Sequence, residues 1–555
     1  MKRITLKLKL LIGAVLIAIV VGFVSFDDEN FQIIKNLDIY HTLFRELNLY
    51  YVDETDPGDL VKTSIDKMLS SLDPYTVYIP ESNIEDYKFM TTGQYGGIGA
   101  LIRKTGDYVI ITEPYEGFPA QKAGLKAGDK IVQIDGKNVK GKSSGDISEL
   151  LKGEPNTEIK LEISRPGLDK NIEKVVSREK IKISSVPYSG MLNDSIGYIR
   201  LTQFTENCSK EVKDAFKELK RDNELKGLVF DLRGNPGGLL HEAVNVSNIF
   251  VPKGQEVVST KGKVKQWNRT YNATMDAMDT EIPLVVLVNR GSASASEIVS
   301  GVIQDLDRGV VIGTRTFGKG LVQTTRDLSY NSKLKITTAK YYIPSGRCIQ
   351  ALDYSNRNED GSVGRVPDSL ITEFKTHGGR KVFDGGGVMP DIEVESPELS
   401  KIAISLYTKN LIFDYATDFT LKNDSIAKPE QFEINDQIYN DFTSFLADKD
   451  FDYTLESESL INKLETVIKK EKYHDVVSAE LELLRKKLAH DKNNDLQMFR
   501  SEISELLRDE IVSRYYYQIG RAKTSIKNDP LIEKAILILN NKKEYQLTLS
   551  PSIEG

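Results

Sequence analysis

Two stretches, LKGLVFDLRG (225–234) and IPLVVLVN (282–289), constrain the fold most. Each is a continuous apolar run, without the alternation of a strand that shows one face to water. Such runs are strands covered on both faces. After the second comes SASEIVSGVIQDL (294–306), with helical spacing of its apolar residues, and then the short run VVIG (310–313). Buried strands alternating with helices specify an α/β core, which we place over residues 177–400.

A chain of 555 residues is too long for one hydrophobic core, so further domains are expected. Residues 27–85 read as helical, with one helix starting near Pro57 and ending before LDPY. Residues 86–176 alternate short β-branched runs (YVIITEP, GDKIVQIDG, IKLEISR) with glycine turns and one short helix, as in a small β domain. Residues 401–555 are rich in Lys, Glu, Asp and Leu at helical spacing and form a C-terminal helical domain. Its charge reads as a solvated helical face, and no chemistry is assigned to it. The amphipathic pattern makes a homo-oligomer contact or an adaptor surface plausible there.

The N-terminus carries an address. Lys2, Arg3, Lys7 and Lys9 precede the apolar run LLIGAVLIAIVVGFVSF (10–26), and Asp27, Asp28 and Glu29 follow it. That is a run of borderline spanning length with a basic inner flank. FVSF is a poor cleavage site, which favours an uncleaved signal anchor over residues 1–26. Either way the rest of the chain is expected outside the cytoplasm, in the periplasm of a two-membrane cell. The net charge of −7 gives no reason to expect a nucleic-acid partner. Two distant cysteines, Cys208 and Cys348, make neither a disulfide framework nor a metal cluster.

The stretch VVIGTRTFGKGLVQ (310–323) comes within one residue of a phosphate-binding loop, with Gly320 where that loop needs Ser or Thr. An extracytoplasmic location further weakens a nucleotide reading. Upstream, VNRGSASASEIVSG (288–301) follows a buried strand, opens a helix and carries Ser292, Ser294, Ser296 and Glu297. A serine at such a junction can be exposed as a nucleophile, with helix-start N–H groups aimed at an oxyanion; the alternative is a plain N-cap. None of His41, His241, His377, His474 and His490 sits in an obvious triad context. A lysine made neutral by burial can replace histidine as base, and Lys319 lies in a tight, apolar-flanked turn; a solvent-exposed turn lysine is the alternative. A third element, VFDLRGNPGGLL (229–240), ends a strand in a glycine-rich turn able to offer N–H donors.

Together, GSASASEI, TFGKGLVQ and DLRGNPGG resemble, in order and spacing, the C-terminal processing (tail-specific) serine proteases. The resemblance extends through LDPYTVYI near residue 72, YGGIGALI (95–102), YYIPSGRCIQ (341–350) and GGVMPDIEV (386–394), roughly residues 35–400. Ile343 and Cys348 depart from the commoner residues of their motif without touching the chemistry.

The resemblance implies Ser294 as nucleophile, Lys319 as general base and Gln323 as the residue positioning the lysine amine. It implies oxyanion donors at the N–H of Ala295 and one from the Gly237–Gly238 turn, with the glycine left open. It also implies a crotonase-like α/β core, and a PDZ domain over residues 86–176 whose loop Tyr95, Gly96, Gly97, Ile98 and Gly99 captures a terminal carboxylate. The expected architecture is multidomain α+β: helical N-terminal segment, PDZ-like β domain, protease core and C-terminal helical domain. The expected activity is endoproteolysis of exported proteins at or near their free C-termini, gated by the PDZ domain, with no metal, ATP or organic cofactor. A proteolytically silent PDZ scaffold that binds C-terminal tails is the alternative, and intact Ser294, Lys319 and Gln323 speak against it.

Overall fold

The computed structural model describes residues 30–358, 362–395, 397–488 and 492–551. Residues 1–29 lie outside these, so the anchor expected over 10–26 is not described; among the described residues no helix is long and apolar enough to cross a membrane. The chain divides at Tyr78/Ile79 into two units. In the first, a helix over residues 30–50 is followed by the helix Pro57–Ser70. The second helix starts where the sequence predicts. Pro57 needs no N–H at the first helical position, and the Asp56 side chain accepts the N–H groups of Gly58 and Asp59.

The second unit is built around a six-stranded sheet. Its strands run in the spatial order Tyr188–Met191, Ile196–Arg200, Gly227–Asp231, Leu284–Val288, Val310–Gly313, Ile392–Glu393. The first pair is antiparallel and the rest are parallel. Leu284–Val288 and Gly227–Asp231 are buried throughout, as their unbroken apolar runs require. The helices Cys208–Asp222, Leu240–Ser247 and Ala295–Asp305 pack on one face.

The other face is covered by the far C-terminus. Leu531, Ile532, Ala535 and Ile538 of the helix Pro530–Asn540 pack against Tyr198, Val229, Val285 and Ile312. Asp529 both caps that helix and pairs with Arg233 at 2.6 Å. The last helices therefore belong to the core layer, although their sequence reads as one with the preceding helical region. A second sheet follows the order Arg269–Asn272, Glu256–Gly262, Lys333–Tyr342, Leu321–Asp327.

The β domain is a sheet of Ala100–Thr105, Tyr108–Pro114, Lys130–Ile134, Glu158–Ser164 and Ile172–Ser177 with the helix Ser144–Leu151. Ser143 and Asp146 form a reciprocal cap at that helix's start. Helices between Lys401 and Ser525 form a bundle around Phe442, Tyr439, Ile511 and their neighbours. This bundle touches the β domain. The guanidinium groups of Arg103 and Arg514 each lie over the Phe413 ring, 4.7 and 4.4 Å from its centre. Glu113 pairs with Arg521 at 2.8 Å, and Gln121 Nε2 donates to the Tyr517 hydroxyl at 3.0 Å. Tyr517 itself has φ 52°, a kink inside the helix Arg500–Ser525.

Candidate active site

Three neighbouring parallel strands deliver the three sequence elements to one end of the core sheet. Gly227–Asp231 leads into the glycine turn, Leu284–Val288 into Ser294, and Val310–Gly313 into Lys319. Adjacent strands pointing the same way release their following loops side by side, so the spacing in sequence becomes proximity in space.

The three serines are not equivalent. Ser292 and Ser296 are fully buried, and their hydroxyls donate to the carbonyls of Leu232 and Asn235, each at 2.9 Å. Ser294 is half-buried, at the start of the helix Ala295–Asp305, with φ 56° and ψ −109°. A non-glycine residue held at positive φ is strained and persists only where its surroundings fix it. The fixing bonds are clear: the Ser294 N–H donates to Glu297 Oε2 at 2.8 Å, and its carbonyl accepts the Tyr341 hydroxyl at 3.0 Å.

Glu297 ties the site together. Its buried carboxylate accepts four donors: Thr316 Oγ1 at 2.6 Å and Gly318 N–H at 2.7 Å on Oε1, Lys319 N–H at 2.9 Å and Ser294 N–H at 2.8 Å on Oε2. One side chain thus fixes the backbone of Ser294 and that of Lys319 at once. Burial pushes its carboxyl up to about 7, against those four bonds. Tyr341 makes a second bridge, its hydroxyl reaching the carbonyls of both Ser294 and Lys319, the latter at 2.7 Å.

The Lys319 turn is not a phosphate cradle. In such a loop the successive N–H groups face the ligand. Here those of Thr316, Phe317, Gly318, Lys319 and Gly320 donate to Val388 O, Ser292 O, Glu297 Oε1, Glu297 Oε2 and Gln350 Oε1. A Cβ on residue 320 would stand 2.8 Å from the Gln350 nitrogen, which explains glycine where a phosphate loop has a hydroxyl. Lys319 is half-buried. Gln323 lies just after a bulge in the pairing of its strand, Leu321–Asp327, with Lys333–Tyr342, and its Nε2 donates to Thr337 Oγ1 at 3.2 Å.

The glycine turn abuts Ser294. A Cβ on Gly237 would lie 2.6 Å from Ala293 O and 2.9 Å from Ser294 Cβ, and φ is +97° there, so only glycine fits. The N–H of Gly237 donates to Asn235 Oδ1 at 2.9 Å. Among the described residues the N–H groups of Gly238 and Ala295 have no acceptor, and Gly238 is exposed. Asn235 holds the turn against the Ser294 segment, its carbonyl accepting Ala293 N–H at 3.0 Å. Asp231 is part of the scaffold and no ligand site: it accepts Tyr198 OH and a bidentate Arg233, whose charge keeps its carboxyl low despite full burial.

Of the candidate carboxylate loop, Gln94–Gly97 forms a strand paired with Glu179–Lys182, leaving Ile98 and Gly99 as the turn. Tyr95 and Ile98 line a cavity of about 230 Å³ with Phe89, Ile102, Leu151 and Lys152, between the strand Ala100–Thr105 and the helix Ser144–Leu151. The parts that sequence reading missed are Glu297's clamp, Asn235 and Tyr341. Glu297 was visible in the motif, but its four partners come from distant segments.

Comparisons with known proteins agree with this layout. The profile of Peptidase family S41 matches residues 195–355, that of a PDZ domain residues 110–165, and that of "Probable PDZ-protease, C-terminal helical domain" residues 402–539. The chain is 38% identical over 342 residues to the carboxy-terminal-processing protease of Bartonella bacilliformis, covering 61% of this chain and 76% of that protein. It is 34% identical over 484 residues to a "Probable CtpA-like serine protease" of Staphylococcus aureus, covering 83% of this chain and 94% of that one. Among solved structures, the photosystem II D1 C-terminal processing protease is 31% identical, covers 63% of this chain and 91% of its own, and gives a TM-score of 0.35.

Proposed function

Since the chain belongs to the carboxy-terminal-processing serine proteases of peptidase family S41, we propose that Ser294 is its nucleophile and Lys319 its general base. In this reading neutral Lys319 takes the hydroxyl proton of Ser294 as Oγ attacks the scissile carbonyl. The N–H groups of Ala295 and Gly238 receive the oxyanion. Lys319 returns the proton to the leaving amine, and a water activated by the same lysine hydrolyses the acyl-enzyme. The observation carrying this reading is the Glu297 carboxylate, which joins the backbones of Ser294 and Lys319 beside an unspent pair of N–H donors.

The proposed substrates are exported proteins cut at or near their C-termini, with the tail held in the PDZ groove. The apolar cavity beside the Ile98–Gly99 turn supports that role. We further propose an anchor at residues 10–26 with the catalytic domains periplasmic, on the strength of the basic inner and acidic outer flanks. Assembly or adaptor docking is proposed for the C-terminal helices, where Leu460, Leu464 and Val467 lie exposed on one helix.

The test is hydrolysis of an unfolded protein with an apolar C-terminus by the chain lacking residues 1–26, with EDTA present and ATP absent. Activity in the parent and none in Ser294→Ala or Lys319→Ala is expected. Activity surviving in both variants would sink the dyad. A folded parent that binds tails but cuts nothing would revive the silent scaffold.

A further inference from the structure

The helix Ile84–Thr92 touches both the peptide groove and the catalytic strand. On the groove side, Asp86 pairs with Lys152, which lines the cavity. Phe89 lies edge-on to Tyr95 at 5.1 Å. On the other side, the Tyr87 hydroxyl shares a hydrogen bond of 2.8 Å with Thr325 Oγ1. Thr325 stands two residues beyond Gln323, in the strand that leaves the Lys319 turn. Two further bonds hold the helix to the core, from Gln203 Nε2 to the Met90 carbonyl and from Glu206 N–H to the Thr91 carbonyl.

Lys152 is built into the groove. It follows the last residue of the helix Ser144–Leu151, and the next N–H, that of Gly153, donates to the Gly96 carbonyl at 3.1 Å. This fastens Lys152 beside the Ile98–Gly99 turn, with its ammonium 6.0 Å from the centre of the Tyr95 ring. Its side chain is 27% exposed, whereas that of Asp86 is 60% exposed. The cation is therefore part of the groove wall, and its present partner is a carboxylate that water can reach.

We propose that Lys152 reads the terminal carboxylate of a tail bound in the groove, and that Asp86 occupies Lys152 until such a tail arrives. This rests on reading the groove as a binder of C-termini, and adds the residue pair and the route to the catalytic strand. The exchange replaces one carboxylate by another, so the ammonium is never left unpaired and the electrostatic cost is small. A tail prevails when its last side chain fills the cavity, whose walls of Ile98, Ala100, Ile102 and Leu151 suit a large apolar residue. Release of Asp86 removes one of the two groove-side contacts of helix Ile84–Thr92, leaving Phe89 on Tyr95, while its Tyr87 still holds Thr325. Groove occupancy is thereby transmitted to the strand carrying Gln323.

The full chain carrying Ser294→Ala provides a binding assay without cleavage. The probe is a fluorescein-labelled peptide ending in Ile-Val-Leu, as the free acid and as the C-terminal amide, read by anisotropy. The parent should prefer the acid about tenfold. Lys152→Met should abolish that preference while leaving amide affinity in place. Asp86→Asn should tighten the acid about threefold and spare the amide, and the double variant should match Lys152→Met. An acid preference that survives Lys152→Met overturns the proposal and leaves the groove reading standing. A parent that binds neither peptide removes the groove reading and this proposal with it. In the chain with Ser294 intact, the acid peptide should stimulate hydrolysis of an unrelated internal peptide, and Tyr87→Phe should blunt the stimulation without weakening binding. Undiminished stimulation in Tyr87→Phe overturns the route to the catalytic strand.

Discussion

The Ser294 and Lys319 turns and the helix Ile84–Thr92 are held by opposite means. Around Ser294 and Lys319, polar groups are buried and bonded several times over: Glu297 takes four donors, and Tyr341 bridges two carbonyls. Helix Ile84–Thr92 is held by an ion pair whose carboxylate is water-exposed, an edge-on contact of Phe89 with Tyr95, one hydroxyl–hydroxyl bond and two bonds to its carbonyls. Chemistry needs donors fixed to within a fraction of an ångström. Recognition that must report its own occupancy needs contacts that break at little cost. On the proposed roles, these demands are separated, the first met at strand ends of the core sheet and the second on a short peripheral helix.

The largest expected effect tests the fixed side. Ser294→Ala and Lys319→Ala should each lower kcat by at least about 10⁴-fold, and the double variant should be no worse than either, because the two act as a unit. Additive losses, measured by single-turnover hydrolysis, would break the picture of one rigid constellation. Next comes Glu297→Gln. An amide cannot accept four donors, so kcat should fall about 10²-fold with KM nearly constant.

The pH dependence of Glu297 sharpens this. Burial raises its carboxyl from the ordinary 4.5 to about 7, so the folded chain holds that proton more tightly than the unfolded chain. The resulting stability is complete below pH 4.5 and is lost as pH rises through about 7, of order 3 kcal/mol. Activity should move the other way, since only the ionised carboxylate accepts all four donors. Glu297→Gln should therefore flatten the fall in Tm between these values and remove one ascending limb of the kcat profile. A carboxylate kept at a cost in stability is what a positioning role predicts.

Much of this architecture was legible from local rules. Continuous apolar runs located the central strands, and Pro57 after Asp56 located a helix start. The motifs carried Ser294, Lys319 and the glycine turn because each is short and contiguous. Long-range partners were not legible. Nothing near Glu297 announces Thr316, and nothing in the helical C-terminus announces that Leu531 and Ile532 cover the core sheet while Leu411 and Phe442 build a separate bundle. Amphipathic periodicity reports that a face is buried, not against what. That Asn235 claims the N–H of Gly237 and leaves that of Gly238, on which the proposed choice of oxyanion donor rests, is a fact of three-dimensional geometry.

The seam between the C-terminus and the core should yield a smaller effect. Arg233→Met leaves Asp231 buried beside Tyr198 without its cation, and should cost about 3 kcal/mol by urea unfolding. Asp529→Asn keeps the cap of helix Pro530–Asn540 and removes one of the two carboxylates paired with Arg233, which stays paired with Asp231, so about 1 kcal/mol is expected. Equal losses from the two would mean that the helix seam, and not the buried charge, sets the stability of this face.

The smallest effect probes the contact between the β domain and the helical bundle, which lies between the two extremes. Glu113 is buried with burial raising its carboxyl, yet its partner Arg521 is 37% exposed. Arg521→Met removes the charge and keeps the stem; Glu113, its carboxyl already raised by burial and with Arg514 still nearby, can take up a proton in place of the lost cation, so the loss should be about 1 kcal/mol. If the β domain is separable from the core, that loss is local. Amide exchange should quicken several-fold around Tyr115–Gln121 and at the kinked Tyr517, while the core strands Leu284–Val288 and Val310–Gly313 keep their protection. If protection of the core strands falls by the same factor, the β domain, bundle and core open as one cooperative body. The groove would then have no independent freedom with which to signal, and the division between a fixed site and a movable reader would fail at its hinge.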